Sequence, residues 1–226
     1  MDRHFAKTVG MDISSQVEPY FLTPLDSSSA SGQKSHLRFS NRQISLDPRS
    51  LLCLSYSLNE LNSLPDWLFS TRHLMIVEPS THQAWPLLCE LRSALINRGY
   101  HILSPCPHLL ACPLALSKRD WCHQNFQWTP PPWLLALNDL LPMAMESLSF
   151  SYLVASLDPP LKKREAHRIV GDPLVEKGKT RQMICRGEER EFLSFLNRWG
   201  KPPSLQRGDG VKLESFEKKG NELRCK

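Results

Sequence analysis

The stretch Cys106-Pro-His-Leu-Leu-Ala-Cys-Pro-Leu-Ala-Leu-Ser-Lys-Arg-Asp-Trp-Cys-His123 places three cysteines and two histidines in one short segment. Thiolates and imidazoles are soft ligands for zinc, copper(I) and iron–sulfur centres. The gaps between Cys106, Cys112 and Cys122 are wider than the paired C-x2-C hooks of a zinc ribbon. Proline follows Cys106 and Cys112, as it follows the last cysteine of a bacterial ferredoxin run. It removes a backbone donor and stiffens the turn that presents the thiol. Three cysteines leave a four-ligand site one short, and the best fourth candidate is Cys185, in the later stretch Arg-Gln-Met-Ile-Cys-Arg-Gly-Glu-Glu. An all-thiolate set suits either a [4Fe–4S] cluster or zinc, with His108 and His123 as alternative ligands of a mixed zinc site. The competing reading is buried thiols without a metal. Cys53, Cys89 and Cys225 are expected to be structural.

The elements that must hold such a site are legible in outline. Leu51–Tyr56 and His73–Val77 are short apolar runs suited to buried strands, the second stopped by Glu78-Pro79. Trp85, Leu88, Leu91, Leu95 and Ile96 recur at helical spacing between Thr81 and Arg98, and Gly99 falls at the cap. Tyr100–Leu103 is a strand that runs into the cysteine loop, Trp133–Leu148 a helix bent near Pro142, and Phe150–Ser156 a strand. Strands alternating with helices predict an α/β fold with a mainly parallel sheet covered on both faces. After Asp158-Pro-Pro160 short strands and Gly-containing turns predict a small β-rich module. The expected divisions are 1–48, 49–158 with a cysteine loop at 105–124, and 159–226.

With 226 residues the chain can bury one sizeable core and carry a smaller module. Its opening residues lack the apolar run of a secretory signal, and no apolar stretch reaches the length of a membrane span. A soluble, intracellular and monomeric protein with no membrane partner is expected, in which metal binding or burial explains seven cysteines better than disulfides do. Charge is uneven. Leu161–Lys226 carries 17 Lys and Arg against 10 Asp and Glu, leaving 11 against 13 in the rest. A basic C-terminal third on a near-neutral body points to a polyanion, RNA above all. Lys162, Lys163, Arg164, Arg168, Lys179 and Arg181 are the candidate contacts.

Seven segments in order, SYSLNEL (55–61), IVEPS (76–80), SPCPHLLACPL (104–114), DWCH (120–123), FSYLV (150–154), HRIVGDP (167–173) and ICRGEE (184–189), resemble the methyltransferase-like proteins of the small ribosomal subunit. That family includes a mitochondrial small-subunit assembly factor and its bacterial relatives. The resemblance covers roughly residues 50–200. It implies a class I, Rossmann-like methyltransferase fold, S-adenosylmethionine as the family cofactor, and a [4Fe–4S] cluster on Cys106, Cys112, Cys122 and Cys185. It also implies action on the small ribosomal subunit or its rRNA, in assembly or translation.

One part of the pattern is missing. Such an enzyme holds its cofactor on a Gly-rich turn after the first strand, where only glycine lets the backbone come close. Before residue 150 the glycines are Gly10, Gly32 and Gly99. The pair Gly208-Asp-Gly210 reads as a hairpin turn. By the resemblance, Val9–Ser15 matches the end of the family's second strand, and Asp12 the acid that grips the cofactor ribose. Glu60 and Glu78, at the C-terminal ends of predicted strands, are further cofactor-side candidates, with helix capping as the competing role. Residues 1–48 are then expected to be a poorly ordered remnant of the N-terminal half.

The favoured expectation is a ribosome-associated, cluster-bearing protein with little or no catalysis. An active rRNA methyltransferase and a zinc-stabilised nucleic-acid-binding module are the alternatives. A bacterial cytoplasmic location is favoured over the mitochondrial matrix, because no Arg-rich, acid-poor leader opens the sequence.

Overall fold

The computed structural model describes residues 9–11, 38–40, 50–141, 147–161 and 166–225. It divides into two compact units, residues 1–50 and 51–226. Within the first unit, strands β1 (Val9–Met11) and β2 (Arg38–Ser40) pair in parallel. Asp12, Lys162, Lys163, Arg164 and the bend expected at Pro142 lie outside the described residues.

The second unit begins with β3 (Leu51–Ser55), followed by two 3-10 turns at Leu58–Glu60 and Asp66–Phe69 and then β4 (His73–Pro79). On β4 every second residue turns inward, so Leu74, Ile76 and Glu78 are buried. Helix α1 (Trp85–Asn97) follows. The Thr81 hydroxyl accepts the Ala84 N–H at 3.2 Å ahead of it. At its far end Gly99 takes a positive φ of 84° while the Tyr100 N–H returns to the Leu95 carbonyl at 3.0 Å. That left-handed closure favours glycine. Leu88, Leu91 and Leu95 then pack on Leu74, Ile76, Leu153 and Ala155. Each fully buried leucine contributes about 2 kcal/mol.

Strands β5 (His101–Ser104) and β6 (Gln124–Gln127) flank the cysteine loop. Helix α2 (Pro132–Asn138) and strand β7 (Ser147–Ser156) complete this half. The sheet order is β3-β4-β7-β5, with β6 also on β7. β3 is parallel to β4, while β4, β5 and β6 are all antiparallel to β7. Four strands therefore point one way and β7 runs against them. The fold is mixed α/β as expected, but a mainly parallel hydrogen-bonded sheet is not observed, because the reversed β7 separates β4 from β5.

The β-rich part comprises β8 (His167–Ile169), β9 (Leu174–Glu176), β10 (Lys179–Cys185), β11 (Glu191–Leu196), β12 (Gly210–Val211), β13 (Glu217–Lys219) and β14 (Glu222–Cys225). Their order is β12-β8-β10-β11-β14-β13, with β9 on β10. Ile169, Ile184, Leu193 and Leu223 form its core. Residues 51–226 make one compact unit that includes both sheets.

Three local expectations change. β4 continues through Glu78-Pro79, because Glu78 is the third inward residue of the strand and Pro79 still pairs with Phe150. The helix expected at 133–148 ends at Asn138, and Ser147 and Leu148 already belong to β7. Gly208 does not make a hairpin. Its φ of 101° and missing side chain let Gln124 of β6 pack against it, where a Cβ would come within 2.0 Å of Oε1, and the strand that follows pairs back onto β8.

Candidate metal centre

Strand β10 serves two interiors at once. Ile184 points into the core of the β-rich part, so Met183 and Cys185 on either side of it point the other way. On β8 the same alternation sends Ile169 into that core and turns Arg168 and Val170 toward Cys185. The register places Cys185 directly opposite Arg168. The cysteine loop closes over this face, and one cavity results. Cys106, Cys112 and Cys122 come from the loop and Cys185 from β10. Trp85, Cys89 and Arg92 reach it from α1, Tyr152 and Leu153 from β7, and Arg168 and Val170 from β8 and just beyond it.

The four cysteines singled out from the sequence thus line one cavity although Cys185 is remote in the chain. Among the described residues, no group of three or more His, Cys, Asp or Glu side chains is set to hold a single metal ion. Burial pushes the Cys106 and Cys185 thiols up, and Cys122 up to about 11. Cys89 and Cys112 share a hydrogen bond that lowers the first and raises the second. Cys89, expected to be merely structural, is therefore a fifth thiol of the wall. The sequence signal for it was positional: Trp85, Cys89 and Arg92 follow one another at helical spacing along the buried stripe of α1.

Two arginines are buried in the same wall, Arg92 at 3 % and Arg168 at 7 % exposure. Arg92 donates from Nε to the Cys106 sulfur at 3.1 Å, and from one terminal nitrogen to the carbonyls of His108 (3.0 Å) and Leu110 (2.8 Å). Its fork therefore fixes both the first thiol and the backbone that carries the loop forward. Burial opposes the charge, yet Cys106, Cys112 and Cys89 outweigh it and hold the guanidinium pKa above its ordinary value. Arg168 donates to the Gly208 carbonyl at 3.2 Å and to Gln124 Oε1 at 3.1 Å. Its Nε is buried without a partner among the described residues. Arg168 is thus not the surface RNA contact expected from its charge. Strand alternation turns it inward.

His108 Nε2 stands 3.3 Å from the Cys185 sulfur, and burial and Arg92 hold its pKa down. His123 lies outside the cavity wall, stacked beside Trp121 at 5.4 Å. Glu78 is fully buried. Its carboxylate accepts the N–H groups of Ser57 (3.1 Å), Leu58 (2.8 Å) and Asn59 (3.3 Å) and so caps the turn after β3. The capping role, not a cofactor contact, is the one observed. Glu60 is exposed on that turn. Lys179 and Arg181 are engaged with Glu222 and Glu176, and Arg181 also lies over Phe192 at 4.8 Å.

A family model, described as mitochondrial small ribosomal subunit Rsm22, matches residues 22–195, more than half of the chain. No curated protein matches it. The matched span contains the cysteine loop, both buried arginines and Cys185.

Proposed function

The chain belongs to the mitochondrial small ribosomal subunit Rsm22 family, a methyltransferase-like family, and on that premise we propose that it is a small-subunit-associated protein that carries a [4Fe–4S] cluster on Cys106, Cys112, Cys122 and Cys185. The observation that supports this reading most is the single cavity in which those four thiols meet two buried guanidinium groups. A buried cation needs a compensating anion, and thiolates held by a metal supply one. When bound, the cluster would join the loop after β5 to β10 and so tie the β-rich part to the α/β part. Zinc is the second reading, supported by the approach of His108 to Cys185.

We read the sheet of β3, β4, β5 and β7 as part of a class I methyltransferase fold, on the strength of the family, the co-directional strands and the α1 crossover. Methyl transfer is not included in the proposal. Asp12 lies outside the described residues, and Glu78 is occupied with three backbone N–H groups. The partner proposed is the rRNA of the small subunit, met by exposed bases of the β-rich part through phosphate neutralisation. Arg198, which lies over Trp199 at 5.3 Å, and nearby Lys201 are both exposed and fit that task. The family's description supports the mitochondrial location over the bacterial cytoplasm.

Anaerobic purification followed by iron, sulfide and zinc determination, with filter binding to small-subunit rRNA, tests the proposal. Iron with sulfide and salt-sensitive RNA binding is the expected result. A chain that takes up neither metal, or ignores the RNA, overturns it.

A further inference from the structure

We propose that Arg92 and Arg168 are the fixed counter-charges of the thiolate centre, and that they match the cavity to a dianion. The proposal rests on the metal-centre reading above and goes one step further. It assigns a role to two residues outside the ligand set and predicts the charge state that the cavity selects.

The argument starts from burial. A guanidinium remains charged at any physiological pH, and taking one out of water is costly unless an anion meets it. Arg92 has three hydrogen bonds, two to carbonyl oxygens and one to the Cys106 sulfur. Arg168 has bonds to a carbonyl and to the Gln124 amide oxygen, and its guanidinium also meets the Cys122 thiol. Carbonyl and amide oxygens orient these groups without neutralising them. Among the described residues the wall holds no carboxylate, and apart from the weakly acidic phenol of Tyr152 its groups able to become anionic are the thiols. Four thiolates around either Zn2+ or a [4Fe–4S]2+ core leave a dianion, which two fixed cations balance. A site of three thiolates and one neutral histidine on zinc would leave one cation in excess.

Geometry divides the two roles. Arg92 reaches Cys106 from helix α1, at the start of the loop. Arg168 stands directly across the strand pair from Cys185, the ligand at the other end of the set. At the thiols, Arg92 bonds Cys106 and the Arg168 guanidinium bonds Cys122, so each cation engages a different sulfur of the loop. Hydrogen bonds and positive charge near the sulfurs are also among the factors that set a cluster's reduction potential.

The test compares wild type with Arg92→Met, Arg92→Lys and Arg168→Met. Each chain is loaded anaerobically with iron and sulfide, or with zinc alone, and circular dichroism checks the fold. Metal release to a chelator is then followed, and the loaded cluster is titrated with dithionite under electron paramagnetic resonance. Arg92→Met is expected to release metal about 10–100-fold more readily and to be reduced at a more negative potential, because a nearby positive charge is gone. Arg92→Lys should restore the potential, since it keeps the charge while losing the fork. If Arg92→Met does not fold, Arg168→Met is judged by the same two readouts. A folded neutral variant with wild-type metal release and potential overturns the counter-charge role. If wild type carries zinc only, the cluster reading fails and zinc release alone decides the counter-charge role. If it carries no metal, both fail.

Discussion

Cys185 and Arg168 stand directly opposite each other on adjacent strands, a thiol and a buried guanidinium facing the same cavity. The sequence marks Cys185 as a candidate ligand and Arg168 only as one basic residue among many, and nothing in it sets the two side by side. Both belong to the β-rich sheet, and both side chains leave it toward the cysteine loop. Arg168 also binds the Gly208 carbonyl and Gln124, and the Gln124 amide donates to the Arg207 carbonyl at 3.1 Å. The wall of the cavity is thus also the seam between the two sheets.

Glu78 should be the most sensitive position away from the cysteines. Glu78→Ala leaves three N–H groups without their acceptor, at least one of them deeply buried. We expect a loss on the order of 3 kcal/mol in urea unfolding, with β3 and the turn after it the first to lose protection in hydrogen exchange. Burial raises the Glu78 pKa despite those three donors. Its contribution therefore falls as pH rises from the unfolded carboxylate value through the higher folded one.

Acid should act on the β-rich part in the opposite sense. Glu191 is nearly fully buried and paired with Arg186 at 2.9 and 3.0 Å and with Lys218 at 2.9 Å. The Arg186 hydrogen bonds hold its pKa below the ordinary value, as Lys179 does for Glu222 and Arg207 for Asp172. A lowered folded pKa gives stability that is present above the unfolded value, about 4.3 for Glu, and is lost as pH falls through the folded one. Thermal unfolding followed across that range should show a falling Tm in wild type. Glu191→Gln should flatten the fall while lowering Tm at neutral pH.

RNA contact should not follow the count of basic residues. Lys179 and Arg181 are engaged in ion pairs within the sheet, so their replacement should cost stability more than affinity. Arg198→Ala and Lys201→Ala, at exposed positions, should weaken binding to small-subunit rRNA. Each should reduce the slope of log K against log salt by about one. An unchanged slope in the double variant would remove this surface from the account.

The contrast among these bases shows what the sequence could carry. Spacing and apolar runs located α1, its Gly99 cap and four of the strands (β3, β4, β5 and β7), because both are local signals. The four cysteines were legible through ligand chemistry and the family's spacing. The inward turn of Arg168 was not. Its orientation depends on Ile169 and Ile184 pairing in the core of the β-rich part, a contact between strands that no local pattern announces. Cys89 was passed over for a related reason, since a cysteine on an apolar helix face gives no sign of which cavity the face will line. The reversed direction of β7 was equally hidden. A short apolar strand reads the same in either sense.

The central claim is that four particular thiols hold one iron–sulfur centre. The most direct measurement is the iron and sulfide content of the anaerobically purified chain, beside single serine variants of Cys106, Cys112, Cys122 and Cys185, with Cys53→Ser and Cys225→Ser as controls. The account predicts about four iron and four sulfide per wild-type chain, a sharp fall in each of the first four variants, and wild-type content in both controls. A colourless chain with stoichiometric zinc, or iron that survives the loss of Cys185, would contradict it.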